Sequence, residues 1–346
     1  MRIIERETGG EHERVLLAHE PEVGYRGVIA VHSTALGPAV GGTRFWNYAT
    51  EDEAVTDALR LARGMTYKNA LAGIPFGGGK SVIIGDHRTR EREPLFRAHG
   101  RFVETLGGSY ITAEDVGTSP SDIAFVNLET SHVAGLLGRS GDPSPVTARG
   151  VFRAIQASAK WRWGTEELRG RRVALQGCGS VGRHLARERT EAGASVFVSD
   201  TDEEKVSRVV SESGAKSVAP EEIFDAEADI FAPCALGGVL NDETIPRLKV
   251  EVVAGAANNQ LLEPRHGDAL EARGILYAPD YAANAGGIIN GCRELLGWDR
   301  AHAHAKVEEL YDTLLRIYAL ARSEGVPTHL AADRLAEQRL RDAKRA

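Results

Sequence analysis

From about residue 147 onward, short apolar runs alternate with helical stretches in a regular rhythm. The runs are "RVALQG" (Arg172–Gly177), "SVFVSD" (Ser195–Asp200), "ADIFAP" (Ala228–Pro233), "VEVVAG" (Val250–Gly255) and "ILYAP" (Ile275–Pro279). Each is close to continuously apolar, so both faces of the strand need cover. Strands of that kind separated by helices form a parallel sheet with helices on both sides. The expected fold class is α/β: a doubly wound parallel sheet, preceded by a separate α/β domain. A helix, "TARGVFRAIQASAKWRW", leads into the alternation, and the turn-forming cluster "RSGDPSPV" (Arg139–Val146) marks the boundary. A chain of 346 residues is long enough for two domains of this kind, each with its own core.

The first of these strands runs into "QGCGSVG", which places Gly177, Gly179 and Gly182 at the G-x-G-x-x-G spacing just before a helix. Gly177 permits the tight turn, Gly179 lets a pyrophosphate approach the backbone, and Gly182 lets helix and strand pack closely. Cys178, Ser180 and Val181 complete the turn. The next strand ends in Asp200, where an acid would bond the adenosine ribose hydroxyls. A carboxylate there favours NAD over NADP, and "SDTDEE", with Thr201 next in line, offers no arginine to receive a 2′-phosphate. The second half is therefore expected to be a Rossmann-type NAD-binding domain.

Composition removes several other classes. Net charge is −7 and the basic residues are spread along the chain, without the basic stripe of a nucleic-acid binder. Cys178, Cys234 and Cys292 lie far apart with no CxxC pair, which argues for a reducing compartment and against a zinc site. His302 and His304 sit at i,i+2 and do not face one another on a helix, so no metal is expected. "MRIIERETGGEHERV" has no apolar signal core and no run approaches a membrane span. A cytoplasmic protein with no nucleic-acid or membrane partner is the expectation.

The first half carries the reactive groups. Strands are expected at Gly27–Ser33, Ser81–Gly85 and Ser109–Ala113, with a helix opened by a Thr50/Glu53 capping box between the first two. A second helix opens at "EPLF", and a long amphipathic one is expected over 301–323, with a last helix from Thr328. "MTYKNA" places Lys68 just past the first helix, "FGGGK" places Lys80 at a strand entrance, and "TAEDVGT" places Asp115 just beyond a strand end. The glycines before Lys80 are not a phosphate loop, because the first glycine of that pattern would have to stand at Ile74. A lysine in a poorly hydrated cleft has a depressed pKa, and a nearby carboxylate can take and return a proton. Such a set suits chemistry at a carbonyl or imine carbon.

The segments "GPAVGGTRFW", "RLARGMTYKNALAGIPFGGGKSVIIGD", "TAEDVGT", "QGCGSVG", "APCALGG", "GAANNQL" and "YAPDYAANAGGIIN" together resemble the glutamate/leucine/phenylalanine/valine dehydrogenase family, nearest its leucine and valine branch. The likeness covers almost the whole chain in the right order. It implies a substrate and oligomerisation domain over 1–140, an NAD domain over 141–325 and a C-terminal helix over 326–346 packing back on the first. It also implies an active site in the cleft between the domains. By the same resemblance Lys68 holds the substrate α-carboxylate, Lys80 polarises the carbonyl and activates water, and Asp115 shuttles protons at the amino group. The glycine run would leave room for substrate and water beside Lys80. Asn258 is the residue that touches substrate and nicotinamide ribose, Thr147, Ala235 and Leu236 are cofactor contacts, and Asn284 lies near the nicotinamide.

Glutamate-specific members carry a lysine directly before the paired glycines, where this chain has Val40 ahead of Gly41 and Gly42. A valine cannot pair a γ-carboxylate, so an apolar side-chain pocket is expected, walled by Val40, Ala113 and Ile288. Gly291 and Ala283 are smaller than the residues leucine-type members place there, which enlarges the pocket unless neighbours fill it, and Arg293 lies close by. The expected activity is NAD-dependent, reversible oxidative deamination of an apolar L-amino acid of leucine or valine type. The alternatives are an aromatic amino acid dehydrogenase and an inactive NAD-binding regulatory protein. Family resemblance implies a homo-oligomer. The tail, ending in "RLRDAKRA", is shorter than expected for octameric members, which leaves dimer, hexamer and octamer open.

Overall fold

The computed structural model describes residues 1–7, 10–136, 138, 139 and 141–345. Ser140 of the boundary cluster, Ala346 of the tail and residues 8 and 9 lie outside the described residues. The chain divides into two compact units. One comprises Met1–Gly141, Gly291–Trp298 and Ala336–Ala346, the other Asp142–Asn290 and Asp299–Leu335.

The first unit is built on a six-stranded mixed sheet of β1 (Arg2–Glu5), β2 (Arg14–Glu20), β3 (Tyr25–Ser33), β4 (Ala39–Trp46), β5 (Gly77–Ile84) and β6 (Tyr110–Glu114), in the order β1-β2-β3-β5-β4-β6. The strands from β1 through β3 to β5 pair antiparallel, whereas β4 runs parallel to both β5 and β6. Strand alternation divides the side chains between two helical layers. Val28, Ala30, Val82 and Ile84 pack with Ala54, Val55, Ala58 and Ala62 of α1 (Glu51–Ala72). Ile29, Val31, Phe45, Ile83 and Tyr110 pack on the other face with Phe96 and Phe102 of α2 (Glu93–Glu104) and Ile123 of α3 (Pro120–Asn127).

Helix α1 opens at Thr50, whose hydroxyl accepts from the Glu53 N–H at 3.1 Å. The reciprocal half of the expected box reaches one residue further back, to the Ala49 N–H. A full capping box stands instead at Ser119 and Asp122, at the start of α3. Helix α1 runs four residues beyond Lys68, so that lysine lies within its last turns rather than past its end. Strand β5 starts at Gly77, which puts Lys80 in mid-strand rather than at an entrance.

The second unit begins with α4 (Ser144–Trp163) and holds a wholly parallel sheet. Its strands are β7 (Arg172–Gln176), β8 (Ser195–Ser199), β9 (Lys216–Ser217), β10 (Ile230–Pro233), β11 (Val252–Val253) and β12 (Leu276–Tyr277). The order β12-β11-β10-β7-β8-β9 is that of the dinucleotide-binding doubly wound fold, with the topological switch point at β7 and β10. The helices are α5 (Ser180–Glu191), α6 (Glu203–Ser213), α7 (Arg265–Ala272), α8 (Asp280–Ala283), α9 (Gly286–Leu295), α10 (Arg300–Glu308), α11 (Leu310–Glu324) and α12 (Thr328–Ala343). The single helix expected over 301–323 is thus two, interrupted at Glu309. The end of α12 belongs to the first unit, where Glu337 accepts from the Tyr67 hydroxyl at 2.8 Å and Arg339 donates to the Leu71 carbonyl at 2.9 Å. Among the described residues, no helix is long and apolar enough to cross a membrane.

Candidate active site

In the first unit, Lys80 is 5% exposed and its Nζ donates to Asp115 Oδ2. Burial pushes the Lys80 ammonium below its ordinary range, while the Asp115 carboxylate pulls the other way without restoring it. For Asp115, burial pushes the carboxyl up, but the Lys80 and Arg44 cations outweigh it and leave the group below the usual carboxylate value. A buried ammonium and an ionised carboxylate therefore stand in direct contact, ready to exchange a proton with a bound reactant.

The two groups leave strands that flank β4. Paired positions Val40↔Gly78 and Thr43↔Ser81 set Gly42 beside Lys80, and Gly42 pairs with Ala113 on β6. A Cβ on Gly42 would stand 2.9 Å from Asp115 Cβ and 2.4 Å from the Glu114 carbonyl oxygen. One on Gly41 would lie 1.7 Å from the Gly79 oxygen. Gly42 on the middle strand thus clears the line between Lys80 and Asp115, while Gly41, on the opposite face, lets the β5 backbone approach.

The glycine run before Lys80 serves packing, which corrects the expectation that it leaves room for substrate. A Cβ on Gly78 would meet Thr66 N at 2.0 Å, and one on Gly79 the Tyr110 ring at 2.7 Å. The Asn69 amide donates to the Gly77 carbonyl at 2.6 Å. Thr66 and Asn69 therefore bind α1 tightly to β5 and hold the half-buried Lys68 between them. By alternation, Val40, Gly42, Lys80 and Ala113 share the sheet face that α1 covers. Gly291 stands three residues beyond Ile288 on α9.

Arg44, which the sequence reading passed over, belongs with this group. Its Nε donates to Asp115 Oδ2 at 3.3 Å and its Nη1 to Asp57 Oδ2 at 2.8 Å. The available signal was the strand period: Val40, Gly42 and Arg44 are alternate residues. Behind the sheet, Thr43, Ser81, Thr112 and His99 form a buried hydroxyl–imidazole network that the sequence also did not show, with Tyr25 on the second His99 nitrogen.

In the second unit, the residues expected to hold the cofactor lie at or beyond the carboxyl end of a parallel strand or on the helix that follows it, except Thr147, which stands near the start of α4 ahead of the first strand. Gly177 adopts φ 101°, and a Cβ there would press on the Cys234 backbone at 2.7 Å. A Cβ on Gly182 would sit 2.0 Å from the Gly177 oxygen, whereas Gly179 faces open space. Gly179 precedes α5, whose first turn has no side-chain cap, so its backbone N–H groups are available to an anion. Cys178, Ser180 and Val181 lie along this turn, and the Cys178 N–H donates to Asp200 Oδ2 at 2.7 Å. The second Asp200 oxygen takes the Asp202 N–H at 3.0 Å, with Thr201 exposed between them.

Ala235 and Leu236 follow β10 and are exposed, Leu236 at 84%. Their loop abuts the next one through Gly237, where a Cβ would meet the Asn258 carbonyl oxygen at 2.7 Å. Asn284 Nδ2 donates to Asn258 Oδ1 at 2.9 Å, and Asn284 Oδ1 is buried without a hydrogen-bond partner among the described residues. Thr147, near the start of α4, lies where the start of α9 comes close: a Cβ on Gly287 would stand 3.3 Å from its hydroxyl. Ile288 is half-buried and Ala283 fully buried. The open Gly179, the uncapped helix start, the anchored acid and the orphaned amide oxygen fit a dinucleotide.

Comparison with known proteins agrees. Residues 12–132 match the family described as Glu/Leu/Phe/Val dehydrogenase, dimerisation domain, and residues 197–346 match Glutamate/Leucine/Phenylalanine/Valine dehydrogenase. Leucine dehydrogenase of Geobacillus stearothermophilus is 52% identical over 97% of this chain and 92% of its own length. Valine dehydrogenase of Streptomyces virginiae is 50% identical over 97% and 95%. The crystal structure of L-tryptophan dehydrogenase from Nostoc punctiforme superposes with a TM-score of 0.89 at 47% identity, covering 97% of this chain and 98% of that one. A nicotinamide-dependent fold with a lysine–aspartate pair defines an oxidoreductase class, and the chain belongs to the Glu/Leu/Phe/Val dehydrogenase family. It is an amino acid dehydrogenase that uses a nicotinamide dinucleotide.

Proposed function

We propose that the protein catalyses the NAD-dependent, reversible oxidative deamination of an apolar L-amino acid of leucine or valine type. The balanced reaction consumes the amino acid, water and NAD⁺ and yields the 2-oxo acid, ammonium, NADH and a proton. The observation that carries the reading is the buried Lys80 ammonium held on the ionised Asp115 carboxylate. When bound, the nicotinamide ring supplies hydride acceptance from the substrate Cα.

Lys68 pairs the substrate α-carboxylate. Asp115 takes a proton from the substrate amine and later returns one to the departing ammonia. Lys80, whose ammonium burial makes easier to deprotonate, first releases its proton to solvent; the neutral amine then takes the proton of the water that attacks the imine carbon and, as ammonium again, polarises the carbonyl oxygen that results. In the reverse direction each group retraces its own step, Asp115 at the nitrogen and Lys80 at the oxygen, giving up the proton it had taken.

Val40, 1% exposed on the face that carries Lys80, supports an apolar substrate, since no cation stands there for a side-chain carboxylate. Ala113, Ile288 and Gly291 are the remaining wall positions in this reading. The small Gly291 and Ala283 favour a second reading, an aromatic side chain, and the relatives named above act on both kinds. Asp200 supports NAD over NADP, because a 2′-phosphate would meet its carboxylate. Thr147, Gly177 to Gly182, Thr201, Ala235, Leu236, Asn258 and Asn284 complete the proposed cofactor site.

A homo-oligomer is proposed from the family description of residues 12–132. A cytoplasmic location is proposed because no disulfide links the three cysteines. Light scattering tests the first. Formation of NADH with a panel of L-leucine, L-valine, L-phenylalanine, L-tryptophan and L-glutamate tests the activity. Preference for glutamate would refute the apolar pocket, and preference for tryptophan would favour the second reading.

A further inference from the structure

Asp115 is held from two sides. Lys80 approaches from β5 and Arg44 from β4, and both donate to the same oxygen, Oδ2. Arg44 is itself pinned: Asp57 on α1 accepts from its Nη1 at 2.8 Å. Asp57 is fixed in turn by the Tyr48 hydroxyl at 2.6 Å and Arg60 Nη2 at 3.1 Å. Charges therefore alternate from Lys80 through Asp115 and Arg44 to Asp57. Neither Arg44 nor Asp57 has a role in the deamination chemistry above, yet only one guanidinium separates Asp57 from the proton-transferring carboxylate.

We propose that Arg44, locked in place by Asp57, is a positioning residue that holds the Asp115 carboxylate against Lys80. The proposal deepens the deamination reading and rests on it. A planar guanidinium bonded at both ends keeps one geometry, whereas an ammonium at position 44 would serve only one carboxylate. The remaining groups near Asp115 do not substitute for it. Glu114 on its own strand is an acid, Tyr110 and Tyr48 are protonated phenols, and Arg92 before α2 is committed to Asp122 on α3 at 2.7 Å. Lys68 on α1 is assigned to the substrate carboxylate.

The charge pattern gives the proposal a signed consequence. Removing the Arg44 cation raises the proton affinity of Asp115 and of Lys80 alike, since it lowers both. Removing the Asp57 anion acts in the opposite sense on Lys80. Whichever group governs the acidic limb of the deamination profile, Arg44→Met moves that limb to higher pH. Asp57→Asn does not move it upward and shifts it downward where Lys80 governs. A general loss of structure would not split the two variants in this way.

A cavity of about 700 Å³ opens on the pair, lined by Arg44, Trp46, Tyr48, Asp57, Arg60 and Val116, and gives a small solute access. Three variants, Arg44→Met, Asp57→Asn and Arg44→Ala, are compared with wild type in kcat and kcat/KM against pH, Arg44→Ala also with added methylguanidine. The expected results are a kcat loss of roughly 10- to 100-fold in Arg44→Met with a limb shift of about one pH unit upward. Asp57→Asn shows no upward shift, and methylguanidine restores part of the Arg44→Ala rate. Superimposable profiles of wild type and Arg44→Met overturn the inference while leaving the dehydrogenase reading intact. So do equal shifts in both variants, or no rescue in a folded Arg44→Ala protein that still binds NADH. Absence of NADH formation by the wild type with any apolar amino acid removes both.

Discussion

Lys80 and Asp115 meet over Gly42. The lysine stands on β5 and the aspartate follows β6, yet β4 runs between those strands, and only its missing Cβ lets the two side chains join.

Replacing that glycine should therefore damage chemistry and stability together. In Gly42→Ala the new methyl collides with Asp115 Cβ and the Glu114 carbonyl, where the backbone leaves β6. A loss of about 1–3 kcal/mol is expected from overpacking, read as a lower unfolding midpoint, together with a fall in turnover larger than any change in NAD affinity. An alanine variant with wild-type kcat would show that the pair does not depend on this clearance.

His99 gives the first unit an acid-sensitive centre. It is fully buried among Thr43, Ser81 and Tyr25, and burial holds its imidazole at about 3. The folded state therefore binds fewer protons than the unfolded chain between that value and roughly 6.5, the unperturbed histidine value. Stability from this group is complete above about 6.5 and is lost as pH falls toward 3, by up to a few kcal/mol. Chemical denaturation at several pH values should show this slope in wild type and a flatter one in His99→Gln. Identical slopes would mean that the imidazole is not the group being titrated.

Asp200 should decide the cofactor. Both of its oxygens are fixed by backbone N–H groups at the start of the glycine turn and of α6. Asp200→Ala removes the ribose partner and the repulsion of a 2′-phosphate, so KM for NAD should rise roughly 10-fold and the preference over NADP narrow. An unchanged ratio of kcat/KM for the two cofactors would place discrimination elsewhere.

Arg189 offers a stabilising substitution. This guanidinium is wholly buried on α5, with no hydrogen-bond partner among the described residues and the Phe152 ring 4.6 Å from its centre. Burial depresses its pKa to about 9, the mark of a charge whose desolvation is not made good. Arg189→Met should stabilise the second unit by about 1–2 kcal/mol, because the cation–π contact offsets part of the gain. Thermal unfolding should shift upward by a few degrees, and a downward shift would mean that the cation has a partner after all.

How far these features could be read from the sequence depended on their range. The strands of the second unit announce themselves as apolar runs, and the glycine turn with Asp200 is a local pattern, so the parallel sheet and its dinucleotide turn follow almost directly. Strands β9, β11 and β12 are two residues each and leave little hydrophobic signal, although the runs around β11 and β12 were visible. In the first unit, β4 carries little strand signal because Gly41 and Gly42 interrupt its apolar pattern, when they are there to let three strands approach. The glycines of β5 hid the start of that strand for the same reason. Thr66, Tyr67 and Asn69 interrupt the apolar stripe although they are buried, so the stripe alone ends α1 before Lys68. The break at Glu309 is invisible in a stripe that continues from Val307 to Leu310. Arg44 and the His99 network depend on contacts between residues far apart in the chain, which no local pattern records.

The most direct measurement follows NADH and ammonium release by wild type and Lys80→Ala with NAD⁺ and L-leucine or L-valine, with NADH binding measured alongside. The account predicts equal amounts of both products from wild type, and a kcat at least roughly 10²-fold lower in the variant with NADH affinity retained. Full turnover in Lys80→Ala, or cofactor binding without turnover of any apolar amino acid by wild type, would contradict it.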